Sequence, residues 1–158
     1  MAVLKAIDFF ELLTKLAVSD NSNFIKDENS ISTFSELARE SIANAKKIFA
    51  NFGTGKRFFI SADHSVFFVE AFLSVAASGN IAIPVNPSLP TEQLKDLAHK
   101  FKIDYIIEDH YPQMKKIFKI PELSGDNGAM ALLTSGSTGD SKAVVLSHLN
   151  ILANAASV

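Results

Sequence analysis

Three apolar runs of strand length, residues 57–61, 81–85 and 104–108, are separated by segments of helix length, and this alternation constrains the fold more than any other feature. Thr33 followed three residues later by Glu36 is a capping box that predicts a helix over about 34–52, with Gly53 and Gly55 as stop signals. A second helix is predicted over about 65–78, ended by Gly79, with Asp63 and His64 assigned to its cap. Pro87 and Pro90 mark the turn out of the second strand. Thr91 is then predicted to cap a third helix that carries Glu92 in its first turn and Leu94, Leu97, Ala98 and Phe101 on its inner face. Strand, helix, strand, helix, strand at these lengths predicts an α/β fold of parallel βαβ units, wound by right-handed crossovers into an open sheet covered by helices.

After a polar stretch over 111–128, two further strands are predicted over 129–134 and 143–147, with Ser147 capping a last helix. Between these strands lies Thr134-Ser135-Gly136-Ser137-Thr138-Gly139-Asp140-Ser141-Lys142. Glycines let backbone N–H groups turn toward an anion, hydroxyls add donors that rotate to fit, and a lysine supplies a compact positive charge, so the loop suits phosphate. The phosphate loop of the common NTPases does not fit, because there the lysine directly follows the second glycine and here Asp140 and Ser141 intervene. A plain surface turn has the same composition and stays open on composition alone.

The order of the residues goes further. Thr-Ser-Gly-Ser-Thr-Gly-x-x-Lys-x-Val, followed by Ser147-His148-x-Asn150, resembles the phosphate-loop signature of the adenylate-forming (AMP-binding) superfamily: acyl-CoA synthetases, aryl-CoA ligases, luciferases and the adenylation domains of nonribosomal peptide synthetases. Ser141 and Ala143 stand where that signature usually has proline and glycine. Upstream, Ser32-Thr33-Phe34-Ser35-Glu36-Leu37-Ala38 resembles the family's helix-opening segment. Ala76-Ala77-Ser78-Gly79-Asn80-Ile81-Ala82-Ile83-Pro84-Val85-Asn86-Pro87 is similar to its helix-to-strand segment.

The resemblance implies attack of a carboxylate on the α-phosphate of ATP to give an acyl adenylate and pyrophosphate, followed by displacement of AMP by the thiol of coenzyme A or a carrier's phosphopantetheine. An acyl-CoA synthetase-like acid-thiol ligase is expected ahead of a peptide-synthetase module. Carried over by motif, Thr134, Ser135, Gly136, Ser137, Thr138, Gly139 and Lys142 would contact the ATP phosphates, with Thr134 also at the magnesium shell. Implied partners are a small carboxylic acid and an acyl or peptidyl carrier protein. The acidic magnesium ligand, the ribose-gripping aspartate and the catalytic lysine of the family lie beyond this loop. The chain is therefore expected to be an incomplete N-terminal domain over 1–158, inactive by itself and dependent on the remainder of the enzyme. It divides into an N-terminal helix and lead-in (1–30), a βαβ sheet segment (31–109), a connecting segment (110–128) and the phosphate-loop hairpin with its following helix (129–158). Such a piece is expected to expose a sheet edge and to self-associate. The alternatives from other classes are a noncatalytic or split-subunit chain that keeps an anion-binding loop, and a general phosphate-binding module.

Composition agrees with a single core: 158 residues, 47% hydrophobic and 20% charged. A net charge of -2 gives no bulk positive field for nucleic acid. Lys115, Lys116 and Lys119 read as a solvated helix face. With no cysteine there is neither a disulfide framework nor a thiolate nucleophile or zinc site. Residues 1–17 are apolar at Leu4, Ile7, Phe10, Leu13 and Leu16 but interrupted by charge. They predict an amphipathic helix and not a signal peptide, in keeping with a cytoplasmic protein. The run 66–77 is too short to span a bilayer. His148, at a helix start, reads as structural, and Asp104, Glu108 and Asp109 offer no paired-carboxylate geometry.

Overall fold

A computed structural model of the chain describes residues 9–19, 23–108, 114–116, 128–135 and 141–157. Its elements run α1 (Phe9–Ala17), β1 (Phe24–Lys26), β2 (Ile31–Thr33), α2 (Phe34–Phe52), β3 (Arg57–Ser61), α3 (Val66–Ala77), β4 (Ile81–Val85), α4 (Thr91–Phe101), β5 (Tyr105–Glu108), β6 (Met114–Lys116), β7 (Gly128–Ser135), β8 (Ser141–Ser147) and α5 (His148–Ala155). Six strands form one sheet in the order β6-β5-β3-β4-β7-β8. Parallel pairing joins β3 to β4, β3 to β5 and β4 to β7, so the expected βαβ core is present. The two outermost pairs, β5 with β6 and β7 with β8, are antiparallel.

Side-chain alternation along the central strands explains why helices cover both faces. Phe58 and Ile60 of β3, Ala82 of β4 and Ile107 of β5 point to one face and pack with Ile48 of α2 and Ala71 and Val75 of α3. Phe59, Ile81, Ile83 and Ile106 point to the other and meet Ala98 of α4, flanked by Leu94, Leu97 and Phe101. The inner face predicted for the third helix is therefore the one it buries. A third cluster ties the ends of the chain together: Phe9 of α1 packs with Ala76 of α3 and Ala129 of β7, beside Ile151 and Leu152 of α5.

The capping box of α2 forms as read, Thr33 accepting from the Glu36 N–H while the Glu36 side chain accepts from the Thr33 N–H. Ser147 likewise caps α5, with Asn150 closing the box. Other caps differ from expectation. Pro90, and not Thr91, is the N-cap of α4, its carbonyl accepting from the Leu94 N–H, and no side chain caps that helix. Asp63 and His64 do not cap α3. Ser65 accepts from the Phe68 N–H, and Asp27, from the turn between β1 and β2, accepts from the Val66 N–H at 2.7 Å.

The β1–β2 hairpin crosses the boundary expected at residue 30 between the lead-in and the sheet segment, and it was not legible because each strand has only three residues. Within the stretch read as a connecting segment, Met114–Lys116 forms an edge strand on β5, so Lys115 and Lys116 lie in a strand and not on a helix face. Lys119 and Asp109 fall outside the described residues, as does the first half of the predicted N-terminal helix. Leu132, Val144, Val145 and Leu149 are exposed on β7, β8 and α5. No described helix is long and apolar enough to cross a membrane.

Candidate functional site

β7 runs parallel to β4, which itself runs parallel to β3, so the carboxyl ends of all three strands share one edge of the sheet. In open α/β sheets, ligands bind outside that edge. β7 ends there with Thr134 and Ser135, and β8 starts back from it with Ser141 and Lys142. The hairpin register pairs Thr134 with Lys142 and Ser135 with Ser141. Residues directly opposite in an antiparallel pair project to the same face with Cβ atoms about 4.5–5.5 Å apart, so the Thr134 and Lys142 side chains leave the sheet side by side on one face. Both residues are exposed.

Alternation along β7 and β8 sets what that face carries. Leu132 and Val144 pair on the same side as Thr134 and Lys142. On the opposite side, Ala131 is buried in the α4 layer with Leu133 beside it. A register shift between Gly128 and Met130 lets Ala129 turn instead toward α1, α3 and α5. Alternation with Ala131 and Leu133 thus makes Thr134 and its partner Lys142 project from the side opposite α4.

Of the residues expected to hold phosphate, Thr134 and Lys142 are brought together by the strand pairing and Ser135 is the last residue of β7, while Gly136, Ser137, Thr138 and Gly139 lie outside the described residues. An exposed ammonium beside a hydroxyl at a strand end suits an anion. Among the described residues no group of three or more His, Cys, Asp or Glu side chains could hold a metal ion. His148 is structural, as read: its Nδ1 accepts from the Phe9 N–H at 3.3 Å, and its ring lies 5.1 Å from that of Phe9. Asp104 is structural as well, its carboxylate accepting from the Arg57 N–H at 2.9 Å where β3 begins.

The chain is 32% identical over 107 residues to nonribosomal peptide synthetase GRA1 of Gibberella zeae, a match covering 54% of the chain and 1% of that protein. It is 27% identical over 149 residues to malformin synthetase mlfA of Aspergillus homomorphus, covering 80% of the chain and 3% of the synthetase. Among solved structures, the N-terminal subdomain of Klebsiella oxytoca NpsA in complex with 3-hydroxyanthranilyl-AMSN superposes with a TM-score of 0.66 at 24% identity, covering 89% of this chain and 39% of that one. ATP-bound MatB of Rhodopseudomonas palustris gives a TM-score of 0.72 at 18% identity, covering 97% and 37%.

The fold is that of the adenylate-forming superfamily. A fatty acid AMP ligase of Legionella pneumophila shares it, with a TM-score of 0.70 at 18% identity over 93% of this chain and 31% of that one. No protein-family model matches the chain. The chain spans 1–3% of the two synthetases and 31–39% of these three adenylate-forming structures. The sheet with its two helical layers therefore corresponds to part of the N-terminal subdomain of adenylate-forming enzymes.

Proposed function

We propose that the chain is the opening part of an ATP-dependent adenylate-forming ligase, an incomplete N-terminal domain whose 129–158 segment supplies the phosphate-binding hairpin. The observation that carries this reading is the pairing of Thr134 with Lys142 at the carboxyl edge of a parallel sheet. Lys142 offers a point charge and Thr134 a rotatable donor to the terminal phosphates of ATP. Ser135 and the loop residues Gly136, Ser137, Thr138 and Gly139 would complete the cradle by resemblance, and Thr134 would stand at the shell of a magnesium ion that offsets phosphate charge. When bound, ATP supplies the adenylyl group and the pyrophosphate leaving group. Donors set in advance around that leaving group stabilise its developing charge without reorganisation. The acid substrate, the thiol acceptor and a cytoplasmic setting belong to the same reading.

Between acceptors, the peptide-synthetase relatives favour the phosphopantetheine of a carrier protein, and an acyl-CoA synthetase using coenzyme A is the second reading. The test is pyrophosphate binding to the chain, followed by titration calorimetry. Lys142→Ala is expected to weaken binding about ten- to hundredfold, the range for loss of a hydrogen bond to a charged group. Unchanged binding would remove Lys142 from the site. In the longer protein, carboxylate-dependent ATP–pyrophosphate exchange with candidate amino acids and fatty acids separates the two readings.

A further inference from the structure

A second site lies at the same sheet edge and is independent of the hairpin. α3 leaves β3 across one face of the sheet, and α4 leaves β4 across the other. The chain thus parts between two adjacent parallel strands, the topological switch point at which open α/β sheets form a crevice. A crevice of ≈ 310 Å³ opens there, between the segment after β3 and the segment after β4. Its volume is at the lower end of the range for small-molecule sites, about 300–1,000 Å³.

The walls are flat and apolar while the polar groups stand apart. Phe68, on the first turn of α3, lies edge-on to the His64 ring at 6.4 Å between centroids, and Pro84 and Pro87 line the facing side. Three polar side chains line the crevice, Asp63, His64 and Asn86, and none has its full hydrogen-bonding capacity met among the described residues. The Asp63 carboxylate accepts no hydrogen bond among the described residues, since Asp63 lends only its carbonyl, to the Ser65 hydroxyl. Asn86 uses its Oδ1 to accept from the Ser88 N–H at 2.8 Å, and its amide NH₂ donates to nothing among the described residues. The Asp63 side chain is not needed to build its loop, since α3 is capped by Ser65 and Asp27 and not by Asp63, whereas Asn86 shapes its own turn through Oδ1 and keeps its NH₂ free for a ligand.

We propose that this crevice binds a small planar organic cation, of the amidine or amino-heteroaromatic class, with its ring against Phe68 and the prolines and its N–H donors on Asp63. A carboxylate takes paired N–H donors in a bidentate, charge-assisted arrangement, and the aromatic wall favours a flat cationic ring. An anion is disfavoured by the carboxylate.

The probe is benzamidine, titrated into the isotopically labelled chain and followed through the amide resonances of His64 and Asn86. Benzoate and benzamide, of the same ring and size, serve as comparators. Saturable binding of benzamidine that weakens at least tenfold in Asp63→Asn, with benzoate shifting neither resonance, supports the site. Asp63 is exposed, so the variant is expected to keep the wild-type spectrum elsewhere. No saturable shift, equal binding of the three probes, or equal benzamidine affinity in Asp63→Asn overturns the proposal. Pyrophosphate titrated into the same wild-type sample reports separately on Lys142, so failure at one site is distinct from failure at the other.

Discussion

Asn80→Ala is expected to be among the most damaging single changes outside the apolar core. Asn80 is fully buried at the mouth of β4. Its Oδ1 accepts from the Lys56 N–H at 2.8 Å, and its Nδ2 donates to the Gly53 carbonyl at 3.0 Å and the Ser78 hydroxyl at 2.8 Å. One side chain thereby joins the end of α2, the lead into β3 and the end of α3. Each of these three short bonds is worth about 1 kcal/mol net, and an unmet buried partner costs about 1–3 kcal/mol, which puts the loss near 3 kcal/mol. With a urea slope of about 2 kcal/mol/M, the unfolding midpoint should fall by about 1.5 M. Asn80→Asp keeps the acceptor for Lys56 but turns a second oxygen toward the Gly53 carbonyl, so it should cost at least as much. Asn51→Ala, which loses only an exposed bond to the Lys47 carbonyl, should stay within about 0.5 kcal/mol. A midpoint drop below about 0.3 M for Asn80→Ala would refute the reasoning, because water would then be replacing the amide at little cost.

Two further predictions concern pH. Hydrogen bonds from the Val66 and Asn29 N–H groups and the Ser30 hydroxyl lower the Asp27 pKa from 3.8 to about 2. A depressed carboxylate contributes stability that is present above its unfolded pKa and lost as pH falls through the folded one. Acid unfolding between about pH 4 and pH 2 should therefore lose part of its pH dependence in Asp27→Asn, and an unchanged slope there would contradict the role of Asp27 at the start of α3. Glu70, on α3, shifts the other way: burial raises its pKa, Glu40 adds repulsion, and the Asn44 amide at 2.7 Å offsets them in part. A raised acid contributes stability below its unfolded pKa and loses it as pH rises through the folded one. Glu70→Gln should thus melt higher than wild type at pH 7, with the gap closing below about pH 4, as thermal unfolding at the two pH values would measure.

How much was legible follows the range of each interaction. The capping box at Thr33/Glu36 and the Ser147 cap of α5 could be read because each cap and its partner lie within one helical turn. The N-cap of α3, Ser65, is local and was passed over for Asp63 and His64, whereas the second acceptor, Asp27, lies 39 residues away in sequence and no local pattern reports it. The hairpin residues Thr134 and Lys142 stand out in sequence because the glycines and hydroxyls between them are contiguous. Asp63 and Asn86 were not read as a site, since α3 and β4 separate them in sequence.

By itself the sequence determined the alternation of strands and helices, the apolar face of α4, and the resemblance to adenylate-forming enzymes, because propensity, capping and side-chain periodicity all act over a few residues. Tertiary structure alone decided the strand order, the antiparallel edge at β6, and the divergence of α3 and α4 to opposite faces. Those outcomes depend on which apolar faces bury one another, and contacts between residues far apart in the chain leave no periodic trace in the sequence.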